Sequence, residues 1–161
     1  MRQINEAGLD LVKQYEGFRA TAYVCPAGKL TIGYGHVILD NEDYLKSARL
    51  SVDEALAILK TDMADAERAV EKYIKVDLND NQFAALCSFT FNLGAENLKE
   101  STLRRLLNRG DYNSVPGQLN RWVFTGRTKL KGLVRRRRDE GVLFQSEAQA
   151  KQCESCGQWI D

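Results

Sequence analysis

Residues 16–36 read EGFRATAYVCPAGKLTIGYGH, and this stretch decides the fold of the region around it. Residues 25–28, CPAG, have proline second and glycine fourth, which are the preferences of a type I turn. Residues 30–35, LTIGYG, then alternate large apolar side chains with Thr31 or glycine, as one strand of a ribbon does. The pattern predicts a β-hairpin with Cys25 at its corner.

The alternation also predicts which side chains share a face of the hairpin. It places Thr31 opposite Leu30 and Ile32, while Gly33 and Gly35 leave the face of Thr31 without further side chains. A bare face beside a hydroxyl suits the floor of a ligand cleft. The same pattern fits a ribbon with one core face and one bare solvent face, so the residues leave both interpretations open.

A helix is expected to end where this stretch begins. Asn5 is a good N-cap, Leu9, Val12 and Glu16 follow helical spacing, and Gly17 suits the C′ position. A carboxyl group in the last turn lies at the negative end of the helix dipole. That position and partial burial both disfavour ionisation, which suits a general acid that must keep its proton. An ordinary exposed glutamate is the alternative.

A long helix is expected after the hairpin region. Ser51 and Glu54 form a capping-box pattern, and the helix should run to about Ile74, a length of roughly 35 Å. Its apolar stripe is made of side chains three or four residues apart, namely Val52, Leu56, Leu59, Met63, Ala66, Val70 and Tyr73. Such a helix can link two lobes, and a coiled coil is the weaker interpretation. Four further helices are expected. Two cover residues 79–94 and 101–110, a short one follows Ser114 as its cap, and the last begins at Gly132.

Composition places the chain among globular proteins of one domain. It has 161 residues, 43% of them hydrophobic, and no apolar run approaches the length of a membrane helix. Residues 1–6 lack the apolar region of a signal peptide, which predicts a soluble cytoplasmic product without an export signal.

Charge is distributed unevenly although the net charge is only +1. Residues 40–80 contain eleven acidic and six basic side chains, whereas residues 99–138 contain twelve basic and two acidic ones. A basic half suits a polyanionic partner such as the bacterial wall or nucleic acid. Ordinary solvated helix faces explain the same charges.

The cysteines and the single histidine suggest no metal site. Cys87 lies in an apolar helical run and is expected to be a core thiol. Cys153 and Cys156 form a lone CxxC pair, which is too few ligands for structural zinc, so we interpret them as a labile periplasmic disulfide or a free pair. His36 is expected to be a structural residue paired near the hairpin, and no cofactor is expected.

The spacing Glu16-x8-Cys25-x5-Thr31, with TIGYGH at 31–36, resembles the phage-type lysozymes of glycoside hydrolase family 24. The resemblance implies that Glu16 is the general acid and that Thr31 helps to hold the attacking water. This chain departs from the family pattern at Cys25, where the family usually has aspartate. A free thiol is largely neutral at neutral pH, and a nearby ionised Glu16 should raise the pKa of Cys25 further.

The resemblance extends to the second half of the chain. Residues 79–94 are similar to a helix whose end faces the glycan cleft in this family, which implies substrate contacts at Phe91 and Asn92. Core packing is the alternative for Phe91. Thr102 matches a family position near the sugar site. One of the four consecutive arginines is expected to reach the general acid, and we select Arg136, with the others mostly solvated.

These observations predict an α+β, lysozyme-like fold in one domain, 1–161. Residues 17–50 would form a small β-containing lobe, 51–75 a linking helix, and 76–161 with the N-terminal helix a helical lobe. The family resemblance implies hydrolysis of the β-1,4 bond between N-acetylmuramic acid and N-acetylglucosamine, which lyses the host cell.

The predicted partner is bacterial peptidoglycan, reached in the periplasm through a separately encoded holin. We expect a monomer with no stable membrane insertion and no nucleic-acid partner. A non-catalytic wall-binding module of the same fold is the main alternative, because the usual aspartate is missing. A nucleic-acid-binding protein is a weaker third, since its basic segment carries only Tyr112, Trp122 and Phe124 as aromatic side chains.

Overall fold

A computed structural model describes residues 1–147 and the backbone of two short strands beyond them. The helices are α1 (Glu6–Glu16), α2 (Val52–Tyr73), α3 (Asp80–Leu93), α4 (Ala95–Glu100), α5 (Thr102–Asn108), α6 (Val115–Leu119) and α7 (Lys131–Gln145). The strands are β1 (Arg19–Val24), β2 (Leu30–Gly33), β3 (His36–Val37), β4 (Phe124–Thr125), β5 (Thr128–Lys129), β6 (Lys151–Gln152) and β7 (Trp159–Ile160). The predicted roles of Cys153 and Cys156 lie outside the described residues.

The first helix begins and ends as its sequence predicts. The side chain of Asn5 accepts a hydrogen bond of 3.0 Å from the backbone N–H of Gly8. Gly17 has φ +71°, and its N–H donates to the Lys13 carbonyl at 3.0 Å. A positive φ favours glycine, so the chain turns here and enters β1 immediately after Glu16.

The predicted hairpin is also present. β1 and β2 pair antiparallel with Tyr23 opposite Thr31, and the N–H of Gly28 closes the turn onto the Cys25 carbonyl at 2.8 Å. β3 then adds a third strand after a tight turn at Tyr34 and Gly35. Two-residue strands are too short to show a hydrophobic period, so β3 was not predicted.

Gly33 does not contribute to a cleft floor as the sequence suggested. A Cβ on Gly33 would lie 3.4 Å from the Cβ of Ala55 and 3.6 Å from Cδ1 of Leu50. The missing side chain therefore lets β2 approach α2, which is a packing role. Gly35 alone of the two glycines borders the acid.

The second helix connects the sheet with the other helices. Its capping box is complete, with Ser51 and Glu54 bonded reciprocally at 3.1 Å, and its 22 residues span about 33 Å. It contacts β2 and β3 as well as α3 and α4. The buried carboxylate of Glu67 accepts from the N–H of Ile4 at 2.5 Å and fixes the N-terminal segment to it.

The third helix lies at the centre of the helical part. Every side chain from Phe83 to Thr90 is buried, and α3 contacts α1, α2, α4 and α7. Cys87 is fully buried, and burial raises the pKa of its thiol, so the predicted core thiol is confirmed. The arrangement as a whole confirms the predicted α+β class.

The remaining connections differ in detail from the prediction. Ser114 precedes α6 but gives no side-chain cap, because its hydroxyl donates to the Asp111 carbonyl instead. A short 3-10 helix at Asp43–Lys46 lies in the polar connector 37–50, where the sequence allows a turn of helix, whereas helix α4 and the β4–β5 hairpin were not predicted. Among the described residues, no helix combines the length and apolar character needed to cross a membrane.

We predict that Gly8→Ala destabilises the fold. A Cβ at Gly8 would lie 2.6 Å from the Cβ of Ala84 and from Cγ1 of Ile4, so α1 and α3 must separate. The expected cost is about 1–3 kcal/mol, measured by urea unfolding. Gly132→Ala in α7 is the matched control, since no atom lies within 4 Å of its new Cβ. Equal stability of the two variants would contradict the prediction.

Candidate active site

Glu16 lies between the last helix and a glycine turn. Its Oε1 accepts a hydrogen bond of 2.8 Å from Nη1 of Arg136, whose side chain is 5% exposed, while that of Glu16 is 24% exposed. Gly35 has φ +82°, and a Cβ there would lie 3.0 Å from Oε2 of Glu16. The carboxyl group is therefore held between a guanidinium and a bare turn, with part of it open to solvent.

Cys25 and Thr31 lie beside each other at the hairpin. Thr31 is buried, and its Oγ1 lies 3.0 Å from the carbonyl oxygen of Lys29. Hydrogen bonds from the Lys29 backbone and from the Thr31 hydroxyl lower the pKa of the half-buried Cys25 thiol. The pKa of Cys25 is thus lowered overall, whereas the sequence led us to expect a rise, because donors beside the sulfur stabilise the thiolate.

His36 lies between two carboxylates. Its Nδ1 is 2.8 Å from Oδ2 of Asp62 on α2, and its Nε2 is 2.8 Å from Oε2 of Glu42. Burial acts to lower the pKa of His36, but the hydrogen bonds and charges of Glu42 and Asp62 outweigh it, so the pKa is raised. A charged imidazole donates to both carboxylates and ties β3 to α2, as the predicted structural pairing requires.

A buried ionic network lies behind Glu16. Glu140 is fully buried, and its Oε1 accepts from Ser88 Oγ at 2.7 Å, Arg136 Nε at 3.3 Å and Arg137 Nη2 at 3.2 Å. Its Oε2 lies 2.9 Å from Nε of Arg137. Burial raises the pKa of Glu140, against the charges of Arg137 and Arg136 and the hydrogen bond from Ser88. The two adjacent guanidiniums oppose this rise and favour the ionised carboxylate.

Arg137 extends the network to the end of α3. It is fully buried, with its guanidinium carbon 5.3 Å from the ring centre of Phe89, and its Nη2 donates to Oδ1 of Asn92 at 2.7 Å. The prediction that the arginines beside Arg136 are mostly solvated is wrong for Arg137. The pattern RRRRDE places both arginines three or four residues before Glu140, and that spacing was the available signal for the network.

Two predicted substrate contacts lie apart from the ion pair. Phe91 is half-buried and packs against the hydrophobic core. The Thr102 hydroxyl accepts from Arg105 at 3.0 Å, and Thr102 lines a surface groove of about 260 Å³ together with Glu100, Ser101, Gln118, Arg121 and Trp122. The structure thus gathers Glu16, Arg136 and Asn92 through one network and leaves Thr102 in a separate groove.

Comparison with known proteins agrees with this architecture. The family model described as "Phage lysozyme" matches residues 13–140. An endolysin of Acyrthosiphon pisum secondary endosymbiont phage 1 is 40% identical, over 89% of this chain and 98% of its own length. A SAR-endolysin of Bacteriophage PS119 is 38% identical, over 78% of this chain and 73% of its own length. The crystal structure of a P22 lysozyme mutant is 33% identical with a TM-score of 0.83, covering 91% of this chain and all of that one.

The chain belongs to the phage lysozyme family, as the resemblance predicted. Its lysozyme-like fold is confirmed by the structural match, and its function as an endolysin of the muramidase type is confirmed at the level of the family. The chain is thus a glycosidase-type enzyme.

We predict that His36→Gln destabilises the protein in a pH-dependent way. Because the pKa of His36 is raised in the folded state from its ordinary 6.5, the stabilisation is complete below that value. It is lost as the pH rises through the folded-state value. Loss of the charged ring should cost about 1–2 kcal/mol in the unfolding free energy in mildly acidic solution, and progressively less at alkaline pH.

The control for this prediction is Lys46→Gln, which removes an exposed pair with Asp43 at 2.7 Å. The free energies of unfolding of both variants and the parent are measured in urea from mildly acidic to alkaline pH. A difference between His36→Gln and parent that stays constant or grows with pH would contradict the charged pairing.

Proposed function

We propose that this endolysin hydrolyses the β-1,4 bond between N-acetylmuramic acid and N-acetylglucosamine with Glu16 as general acid. The observation that supports this role is the partly exposed Glu16 carboxyl, held by Arg136 at 2.8 Å and bordered by the bare turn at Gly35. Glycosidic bond cleavage requires an acid that protonates the leaving oxygen. The bare turn gives a sugar ring room to approach the acid, since any side chain at Gly35 would cover it.

Arg136 has a positioning role in this proposal. Its Nη1 bonds only one carboxyl oxygen of Glu16, while Nε lies 3.3 Å from Glu140. The other carboxyl oxygen, Oε2, faces the turn at Gly35. A proton on Oε2 would therefore point toward the space where a glycosidic oxygen can bind, and Arg136 would keep it there.

In this proposal Thr31 and Cys25 either bind or supply the group that attacks the sugar. One route uses the Thr31 hydroxyl to hold a water molecule while Cys25 shapes the site. The other uses the Cys25 thiolate as a nucleophile and gives a retained anomer through a covalent intermediate. The lowered pKa of Cys25 supports the second route, because thiolate is then more abundant than in a free cysteine.

The proposed substrate contacts are Phe91, Asn92 and Thr102, with His36 supporting the fold of the small lobe. Asn92 lies nearest to the buried network, and its Oδ1 is already bonded by Arg137 at 2.7 Å. Its amide nitrogen is then oriented away from that bond and can donate to a sugar oxygen. Phe91 and Thr102 would act farther along the glycan.

We further propose that the enzyme is a monomer that reaches the peptidoglycan of the periplasm after release by a separately encoded holin. The name of the relative called a SAR-endolysin suggests the alternative, in which release does not depend on a holin. Co-expression in cells with and without a holin separates the two routes, because only the proposed one makes lysis depend on it.

We predict that Glu16→Gln abolishes lysis while preserving the fold. The amide has nearly the same shape but no acidic proton, so the rate should fall by roughly 100-fold or more. Clearing of turbidity in outer-membrane-stripped Gram-negative cells measures the rate. Glu6→Gln, an exposed change in the first turn of the same helix, is the matched control and should lyse like the parent.

Lysis by Glu16→Gln within about threefold of the parent would contradict the role of general acid, since such an acid contributes at least roughly 100-fold. A parent that sediments with purified walls but does not clear cells would identify the non-catalytic wall-binding alternative.

We predict that alkylation of Cys25 abolishes lysis. Cys87 is fully buried and protected, and a Cys25→Asp protein treated with the same reagent controls for reaction at Cys153 and Cys156. Cys25→Asp restores the family residue and should be active.

The anomer that the parent releases first distinguishes the two mechanisms. An inverted product indicates attack by a water molecule held by Thr31, and a retained product indicates a covalent thioglycoside on Cys25. Full activity of both the alkylated parent and Cys25→Ser would show that the sulfur is dispensable.

A further inference from the structure

The structure assigns a role to Glu140 that goes beyond fold stability. We propose that Glu140 is a positioning residue whose buried negative charge limits how strongly Arg136 and Arg137 favour the ionised form of Glu16. The inference rests on the proposed function of Glu16 as general acid. It deepens that function by naming the group that offsets the guanidinium charge beside the acid.

The geometry places Arg136 between two carboxylates. Its Nη1 lies 2.8 Å from Glu16, and its Nε lies 3.3 Å from Glu140. Glu16 is partly exposed, whereas the side chain of Glu140 has no exposed surface. Arg136 therefore has a fully buried carboxylate behind it and a partly exposed carboxylate in front.

The charge balance of the network explains why the inner carboxylate matters. Arg136 and Arg137 carry two positive charges, and Glu140 supplies one negative charge among them. When Glu16 is ionised the four groups are neutral together, and when it is protonated they carry one positive charge. Without Glu140, protonation of Glu16 would leave two uncompensated guanidiniums in a poorly solvated site, so the ionised acid would be favoured.

Other charged groups near the pair are bonded elsewhere or exposed to solvent. Tyr15 of α1 donates to Asp139 of α7, and burial together with that bond raises the pKa of Tyr15 to about 12. Arg135 and Arg138 are exposed on α7. On the α3 side Ser88 supplies a neutral hydroxyl, and α6, which also packs on α7, has the uncharged sequence VPGQL. Glu140 is thus the buried anion of this network.

The test follows Glu16 directly by carbon-13 NMR titration and indirectly through the pH dependence of lysis at saturating wall concentration. In Glu140→Gln, we expect the Glu16 titration and the alkaline limb of the rate profile to move to lower pH. The rate on that limb should fall by roughly threefold to tenfold beyond any change at the optimum. Glu140→Asp keeps the charge, so its alkaline limb should fall at the same pH as that of the parent.

Removal of a cation should have the opposite effect. Arg137→Gln should move the titration and the limb to higher pH, and the double variant with Glu140→Gln should return them toward the parent. This opposite sign and its cancellation would not arise if Glu140 only supported packing, which would lower the rate equally at every pH. Thermal unfolding monitored by circular dichroism verifies that each variant is folded.

The inference would be overturned if the Glu16 titration curve and the alkaline limb of the pH–rate profile were the same in the parent, Glu140→Gln and Arg137→Gln. If Glu140→Gln does not fold, Arg137→Gln and the double variant decide it by the same criterion. NMR needs no substrate, so the expected shifts in the variants together with a parent that does not lyse walls would refute the proposed function and leave the electrostatic inference standing.

Discussion

The ion pair between Glu16 and Arg136 is the constraint on which the site depends. It joins the end of α1 to α7 across 120 positions of sequence, and the Arg136 side chain is 5% exposed. A buried guanidinium is costly unless its donors are paired. Glu140 of α7 and Ser88 of α3 supply partners for the Arg136 guanidinium on its buried side, where α3 and α7 pack against each other.

A second set of ionic contacts places the sheet relative to the helices. His36, held by Asp62 and Glu42, fixes β3 to α2, while Gly33 lets β2 approach the same helix. The Gly35 turn between these strands is thereby brought against the carboxyl of Glu16. The acid and the hairpin thus meet because each is anchored separately to the helices, and neither depends on a direct bond to the other.

The thiol at the hairpin shows how a local environment can adapt an unusual residue. The family resemblance implies aspartate at this position, and a thiol has an ordinary pKa several units above that of a carboxylic acid. Hydrogen bonds from Lys29 and Thr31 lower the pKa of Cys25 in part. The backbone of the turn therefore supplies some of the stabilisation of negative charge that the residue itself lacks.

Local sequence was enough to predict the features that depend on near neighbours in the chain. Asn5, Gly17 and the Ser51 capping box mark helix ends through bonds to residues three or four positions away, and the CPAG turn closes within four residues. Only the tertiary structure decided that Arg137 is buried and that Gly33 packs on α2. Burial depends on which distant surfaces meet, and a helical pattern shows which residues share a face without showing what covers it.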